Sequence, residues 1–332
     1  MLAGLDIGYG AVKINSEGDG QLTFPSVTGS PDLPRFGLGT NNAIVISNGV
    51  GRTVVGEAAI TQSRFIDRQE DRRWIYSDQY KSLFYASLTE ISRASSESIT
   101  LISGLPLAYF DDKTEVQDLL SGTHRVTREY PEVTRTHTYE VKAYVIPQPF
   151  GSLCSMAFDG NGDPVDPAWL TGTVGILDIG SHTTNVLTTS RGQEVSYGTT
   201  SIPTGCWDIV RAISARVSDL FPQLERRDHD LVKDIQLGQV PYHGEAYDIS
   251  QTILEVSEPM SREIISAATQ HWDGGAALDK ILITGGGAHL IGEFVVNHFD
   301  QHRQVFMPRD PVFANVQGYL RYGLYLQKQG EI

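Results

Sequence analysis

Asp6 and Asp178 stand at the same point of two nearly repeated stretches, LAGLDIGYGAVKI over 2–14 and GILDIGSHTTNVL over 175–187. They lie 178 − 6 = 172 residues apart, and Gly8 and Gly180 share that offset. Each copy reads as an apolar strand ending in Asp-Ile-Gly, a turn of small or polar residues, and a return strand. Glycine lacks a β-carbon, so such a turn can bring backbone N–H groups against a phosphate oxygen. A carboxylate at the strand tip can hold Mg²⁺ directly or through its waters, since that ion prefers oxygen ligands and keeps much of its hydration. A single Asp-Ile-Gly predicts only a turn. Its return at the start of each half predicts two related domains, each offering a glycine turn and a carboxylate to a shared cleft.

The rest of the chain must position those turns. At 332 residues it exceeds the range of a single hydrophobic core, which predicts two domains. The net charge of −14 and the lack of a run of Lys or Arg exclude direct binding to a nucleic-acid backbone, so any DNA role needs an adaptor. Two cysteines, Cys154 and Cys206, are too few for a disulfide framework and lack metal-ligand spacing. No HExxH or paired histidine cluster occurs, no apolar run reaches membrane-spanning length, and the N-terminus enters a strand at once. A cytoplasmic location away from membranes is expected.

Short strands are expected at Leu22–Phe24, Ala43–Ser47 and Thr53–Gly56, with a Pro- and Gly-rich surface loop over Ser26–Thr40. Tyr80, Leu83, Phe84 and Leu88 at helical spacing predict a helix over Ser77–Ile91, capped by Ser77 or Asp78. A buried strand at Ile99–Gly104, a helix at Asp112–Leu120 and a β-rich piece over Thr123–Ile146 follow. Pro147–Met156 is expected to cross to the second domain, with Gln148 just past a strand end as either a cleft residue or a solvated loop glutamine. The DGNGD loop, Asp159–Asp163, lacks the glycine and closing glutamate of a calcium loop and reads as a mobile connector. Gly205 opens a helix bearing Ile209, Ile213, Val217 and Leu220, with Thr204 able to cap it; this glycine serves ligand approach or a plain turn. Asp248–Trp272 predicts two helices or a kinked one, broken at Pro259. Lys280–Thr284 is a buried strand running into Gly285-Gly286-Gly287-Ala288, which leaves room for a flat ring or ribose, or forms a tight turn. A loop and a terminal helix close the chain over Asp310–Leu326.

This order of parts resembles the actin, sugar-kinase and heat-shock-chaperone ATPase superfamily over essentially the whole chain. Within it, the chain is most similar to prokaryotic actin-like proteins of the ParM/StbA plasmid-segregation type and their archaeal relatives. The stretches that carry the likeness are WIYSDQY (Trp74–Tyr80), GLPL (Gly104–Leu107), DIGSHTTNVL (Asp178–Leu187), TGGGAHLI (Thr284–Ile291) and DPVFANVQGYLRYG (Asp310–Gly323). The resemblance implies an α/β fold of two ribonuclease-H-like domains of actin type facing a nucleotide cleft. Residues 1–147 form domain I, with a C-terminal helix at about 315–332 packing back on it, and residues 148–314 form domain II.

It further implies a site. Asp6 matches the carboxylate near Mg²⁺, Gly8, Tyr9 and Gly10 the first phosphate turn, and Lys13 a lysine directed at the phosphates or else a solvated strand residue. Asp178 matches the carboxylate that positions Mg²⁺ and the attacking water, and Gln148 the residue that orients this water. Gly180, Ser181, His182 and Thr183 form the second phosphate turn. Gly205, Gly285, Gly286, Gly287 and Ala288 surround ribose and adenine; Asp208 reaches the ribose or serves as a helix-terminal charge, and Lys233 covers the adenine or is simply exposed. Ser181-His182 and Asn185 depart from the family pattern, altering phosphate contacts and removing a negative charge. The implied activity is Mg²⁺-dependent ATP hydrolysis to ADP, coupled to filaments of this chain that serve plasmid or DNA partition through an adaptor protein. The rival readings are a small-molecule kinase of sugar type and a nucleotide-binding scaffold that does not turn over.

Overall fold

A computed structural model describes residues 1–18, 20–31, 43–47, 51–63, 66–67, 72–224, 226, 228–299 and 304–332; most of the expected loop at 26–40 lies outside them. The chain divides into two compact units, the first made of Met1–Asp166 and Asn315–Ile332, the second of Pro167–Ala314. Each is a mixed α/β unit built on its own sheet.

The first unit runs β1 (Leu2–Ile7), β2 (Ala11–Ser16), β3 (Gly20–Pro25), β4 (Thr28–Gly29), β5 (Ile44–Ser47), β6 (Arg52–Val55), α1 (Glu57–Gln62) and β7 (Ile66–Asp67). It continues with α2 (Asp78–Ile91), β8 (Ser96–Leu105), α3 (Lys113–Leu120), β9 (Gly122–Glu129), β10 (Thr134–Pro147) and α4 (Gln148–Ala157). The strands form one sheet in the order β3-β2-β1-β8-β10-β9-β5-β6-β4-β7. β8 pairs parallel with both β1 and β10, while β1–β2 and β9–β10 are antiparallel. β1 is buried at every residue, as a strand covered on both faces must be, whereas β2 alternates. Ser77 caps α2, its Oγ accepting from the Tyr80 N–H at 3.1 Å. Below it Leu83, Phe84, Leu88 and Ile91 join the core of β1, β8 and β10, each burial stabilising by about 1.5–3 kcal/mol.

The second unit runs α5 (Ala168–Thr171), β11 (Thr173–Ile179), β12 (Thr184–Ser190), β13 (Gln193–Glu194), β14 (Thr200–Ile202), α6 (Cys206–Leu220), α7 (Asp228–Leu237), β15 (Gln239–Tyr242) and β16 (Glu245–Asp248). Then come α8 (Ser250–His271), β17 (Lys280–Thr284), α9 (Ala288–His298) and β18 (Val305–Phe306). Its sheet has the order β13-β12-β11-β17-β18, with β14 on β12 and β17 parallel to β11. β15 and β16 make a separate hairpin. Ile209, Ile213 and Val217 of α6 and Ile264, Ile265 and Ala268 of α8 cover one core. α8 is a single helix rather than two, with Pro259 inside it. Proline leaves the carbonyl four residues earlier without its helical donor, and both Pro259 and Glu255 are exposed, so solvent can reach this side of the helix.

α10 (Ala314–Gln329) returns the chain to the first unit. That unit extends through Asp166, past the boundary at 147 expected from sequence, and Pro147–Met156 is helical rather than a crossing segment. The cause is the grip of α10 on α4 and the loop after it. Ser152 Oγ donates to Asn315 Oδ1 at 2.6 Å, Phe158 stacks on Tyr325 at 4.7 Å between ring centroids, and Lys328 pairs with Asp163 at 2.6 Å. The DGNGD loop is thereby tied down, Asp159 Oδ1 accepting the N–H groups of Asn161 and Asp163. Among the described residues, no helix is long and apolar enough to cross a membrane.

Candidate functional site

The repeat is literal down to register. In the first unit Asp6 lies opposite Lys13 and Ile7 opposite Val12; in the second Asp178 lies opposite Asn185 and Ile179 opposite Thr184. The turns close alike, Gly8 N–H donating to Ala11 O at 3.2 Å and Gly180 N–H to Thr183 O at 2.9 Å. Asn185 therefore occupies the place of Lys13.

In the first unit, β1 and β2 bring Asp6, Gly8, Tyr9, Gly10 and Lys13 together, and the start of α4 adds Gln148. Asp6 is 3% exposed, and its two oxygens are both engaged: Lys13 Nζ donates to Oδ2 and Gln148 Nε2 to Oδ1, each at 3.0 Å. Gln148 is thus the first residue of a helix, not a loop residue. Behind the turn lies a layer that the chain's spacing did not single out. Ser26 Oγ donates to Gly8 O, Gln79 Nε2 donates to Ser26 O at 3.0 Å, and Trp74 stacks on Tyr9 at 4.5 Å. These give the WIYSDQY stretch its reason, because Trp74 and Gln79 hold the first turn. Tyr80, in the same stretch, is fully enclosed; burial foremost, with the charge of Asp6, pushes its phenol pKa up.

In the second unit, Asp178 is 2% exposed at the end of β11, beside the glycine turn after β17. Gly285 has φ +87°, and a β-carbon on it would lie 2.6 Å from Asp178 Oδ1 and overlap Ile179 O. A β-carbon on Gly287 would overlap Ile179 Cγ2, and its N–H donates to Ile179 O at 2.9 Å. Gly286 alone of the three faces open space, with nothing within 4 Å of its β-carbon position. The triple glycine therefore seats α9, led by Ala288, against Asp178 and leaves one position where a ligand can press on the backbone.

Gly205 answers a local need. A β-carbon there would stand 2.5 Å from Ser181 O and 2.7 Å from His182 N, so α6 abuts the second turn. The first amides of α6 are spent on that turn, Cys206 N–H on Gly180 O and Trp207 N–H on Ser181 O, both at 2.9 Å. Asp208 caps the helix by accepting from Gly205 N–H at 2.9 Å, while Thr204, named as a possible cap, donates instead to Glu263 at 3.1 Å. Lys233 sits on the exposed side of α7.

Among the described residues, no group of three His, Cys, Asp or Glu could hold a metal with protein ligands alone. One buried carboxylate in each hairpin suits Mg²⁺ completed by waters and phosphate oxygens. Because both Asp6 oxygens already accept hydrogen bonds, that residue fits contact through a metal-bound water better than direct ligation.

Two sheet-bearing α/β units opened by matched hairpins define the actin fold. Residues 4–151 match the model of the actin-like proteins' N-terminal domain, and residues 176–297 match that of the archaeal actin homologue, MreB-like, C-terminal region. Both parts of the chain thus match parts of actin-like proteins. It is 23% identical over 333 residues to an archaeal actin homolog of Thermoplasma acidophilum, covering 96% of this chain and 97% of that one. A crystal structure of an archaeal actin homolog in complex with ADP superposes with a TM-score of 0.79 at 21% identity, over 97% of this chain and 99% of the other. A 15-stranded ParM filament from Clostridium botulinum gives 0.78 at 21% identity, over 97% and 98%.

Proposed function

We propose that this protein binds ATP with Mg²⁺, hydrolyses it, and assembles into filaments. The observation that carries the hydrolytic part is the cluster of Asp6, Lys13 and Gln148, joined by two 3.0 Å contacts at the tip of a glycine hairpin. A glutamine whose amide is anchored on a buried carboxylate holds its Oε1 in one direction, the property needed to orient an attacking water. Lys13 can exchange Asp6 for a phosphate oxygen at little cost, because one ionic contact replaces another. With the Gly8 and Gly180 amides closing the turns, Tyr9-Gly10 and Ser181–Thr183 offer backbone N–H groups to phosphate, and Asp178 supplies a second buried carboxylate. The position beside Gly286 is where the nucleoside presses on the backbone. When bound, Mg²⁺ neutralises phosphate charge, and Asp6 and Asp178 would hold it through its waters.

Filament formation draws support from the likeness to a ParM filament protomer. Service in plasmid or DNA segregation, in the cytoplasm, is the finer reading; with a net charge of −14 the chain would reach DNA through an adaptor protein. The test is phosphate release and sedimentation with and without Mg-ATP, on the wild type and on Gln148→Ala. Wild-type turnover with ATP-dependent pelleting, and turnover reduced to a low but measurable rate in Gln148→Ala, is the expected result. Turnover that requires an added sugar, with the protein left in the supernatant, would replace this function by a kinase. Tight binding without release would replace it by a scaffold.

A further inference from the structure

The side chain of Tyr319 runs through a slot bounded by three glycines from three elements of the first unit. A β-carbon on Gly4 of β1 would lie 3.0 Å from Tyr319 Cβ. One on Gly151 of α4 would lie 2.7 Å from Cδ1 and overlap Cε1, and one on Gly104 of β8 would lie 2.5 Å from Cζ and overlap Oη. The tyrosine is thus traced from its root to its hydroxyl, fully buried, with no room for a methyl group at any of the three stations. The point where a Gly104 β-carbon would fall is also 3.2 Å from Gln148 Cγ, so the phenol end lies beside that glutamine.

The arrangement has a mechanical meaning. β1 carries Asp6 two residues after Gly4, and α4 carries Gln148 three residues before Gly151. An incompressible ring between those glycines sets how far the start of α4 stands from β1, and with it the 3.0 Å contact from Gln148 to Asp6. Helix α10 is pinned there on its own account. Gly318 lies against the Gly151 backbone, where a β-carbon would come within 2.6 Å of Gly151 C, and Asn315 accepts from Ser152 at 2.6 Å. The residue that spaces the two groups therefore sits one helical turn beyond the point where the chain re-enters the first unit at Asn315.

We infer that Tyr319 is a positioning residue for Gln148, acting through the width of its ring; the catalytic half of this inference rests on the hydrolytic role proposed for Gln148. It is tested on the full chain labelled with ¹⁵N-glutamine, the Gln148 side-chain amide signal being assigned by its loss in Gln148→Ala. Tyr319→Leu, which removes the ring, shifts that signal, and Tyr319→Phe, which keeps it, restores the wild-type position. In phosphate release, Tyr319→Leu lowers kcat about tenfold or more with little change in KM for ATP, and has no further effect in the Gln148→Ala background. Should Tyr319→Leu fail to fold, Tyr319→Met, which also replaces the ring by a narrower chain, is read by the same two measurements. An unmoved Gln148 signal in the ring-deleted protein overturns the inference, as does an equal loss of rate in the Gln148→Ala background. A wild type that releases no phosphate would overturn the proposed function, and the amide signal would still decide the inference.

Discussion

Gly286 and Gly287 are adjacent and chemically identical, yet substitution should separate ligand contact from packing. A methyl group on Gly287 would overlap Ile179 Cγ2 and lie 3.1 Å from Ile179 Cβ, at the end of the strand that carries Asp178. Overpacking of this kind costs about 1–3 kcal/mol. For a unit of about 150 residues, such as Pro167–Ala314, each kcal/mol lowers Tm by roughly 2–4 °C, so Gly287→Ala should melt several degrees below wild type. Gly286 has no atom within 4 Å of its β-carbon position and lies outside the left-handed region, so Gly286→Ala should be neutral or more stable by about 0.4–1 kcal/mol. If the nucleoside presses on the backbone there, the same methyl weakens ADP binding about tenfold, which is about 1.4 kcal/mol. Calorimetric titration with Mg-ADP, and thermal unfolding without nucleotide, read the two effects. Wild-type ADP affinity in Gly286→Ala would refute the placement of the nucleoside, and a fall of Tm as large as that of Gly287→Ala would refute the packing distinction.

Two further outcomes follow from the first unit. Ser77→Ala removes the acceptor for Tyr80 N–H and should cost about 1 kcal/mol in urea unfolding, with ADP affinity retained; no loss would mean that the cap contributes nothing. The Arg52 guanidinium, hydrogen-bonded to Glu129 at 2.6 Å, holds that carboxyl below its ordinary value of 4.5. A depressed folded pKa gives stability that is present above the ordinary value and lost as pH falls through the folded one. Arg52→Leu should therefore destabilise at pH 7 and converge on wild type in acid, a modest effect because both side chains are partly exposed; a difference that persists in acid would contradict it.

The repeat was legible in the sequence because a hairpin is a local object. Asp-Ile-Gly followed by a return strand contains its own turn and register, and the offset of 172 holds for every cross-strand pair of the first hairpin. The helix behind Ser77 was legible for the same reason, its cap and periodicity being neighbours in the chain. The spacing singles out Gln148 but does not show that it opens a helix. What makes Pro147–Met156 a helix of the first unit is Asn315, Gly318 and Tyr325, more than 150 residues away, and no local pattern announces them. The β15–β16 hairpin was missed because its two-residue turn, His243-Gly244, has positive φ at both positions, 51° and 85°, with histidine where asparagine is the usual signal. For Gly205 the sequence leaves ligand approach and a plain turn open, and the close atoms that need its bareness are those of Ser181 and His182, which no local pattern names.

The division of the chain also sets the order in which its units can be completed during synthesis. Residues 167–314 are one continuous stretch, so the second unit has all its parts as soon as they leave the ribosome. The first unit is begun earlier but waits for Asn315–Ile332, whose Tyr319 fills the slot beneath Gln148. Folding as units, domain by domain, then runs against the order of translation. Until α10 emerges, the nascent first half carries an open, glycine-walled groove, and a truncation before residue 315 would leave it so permanently.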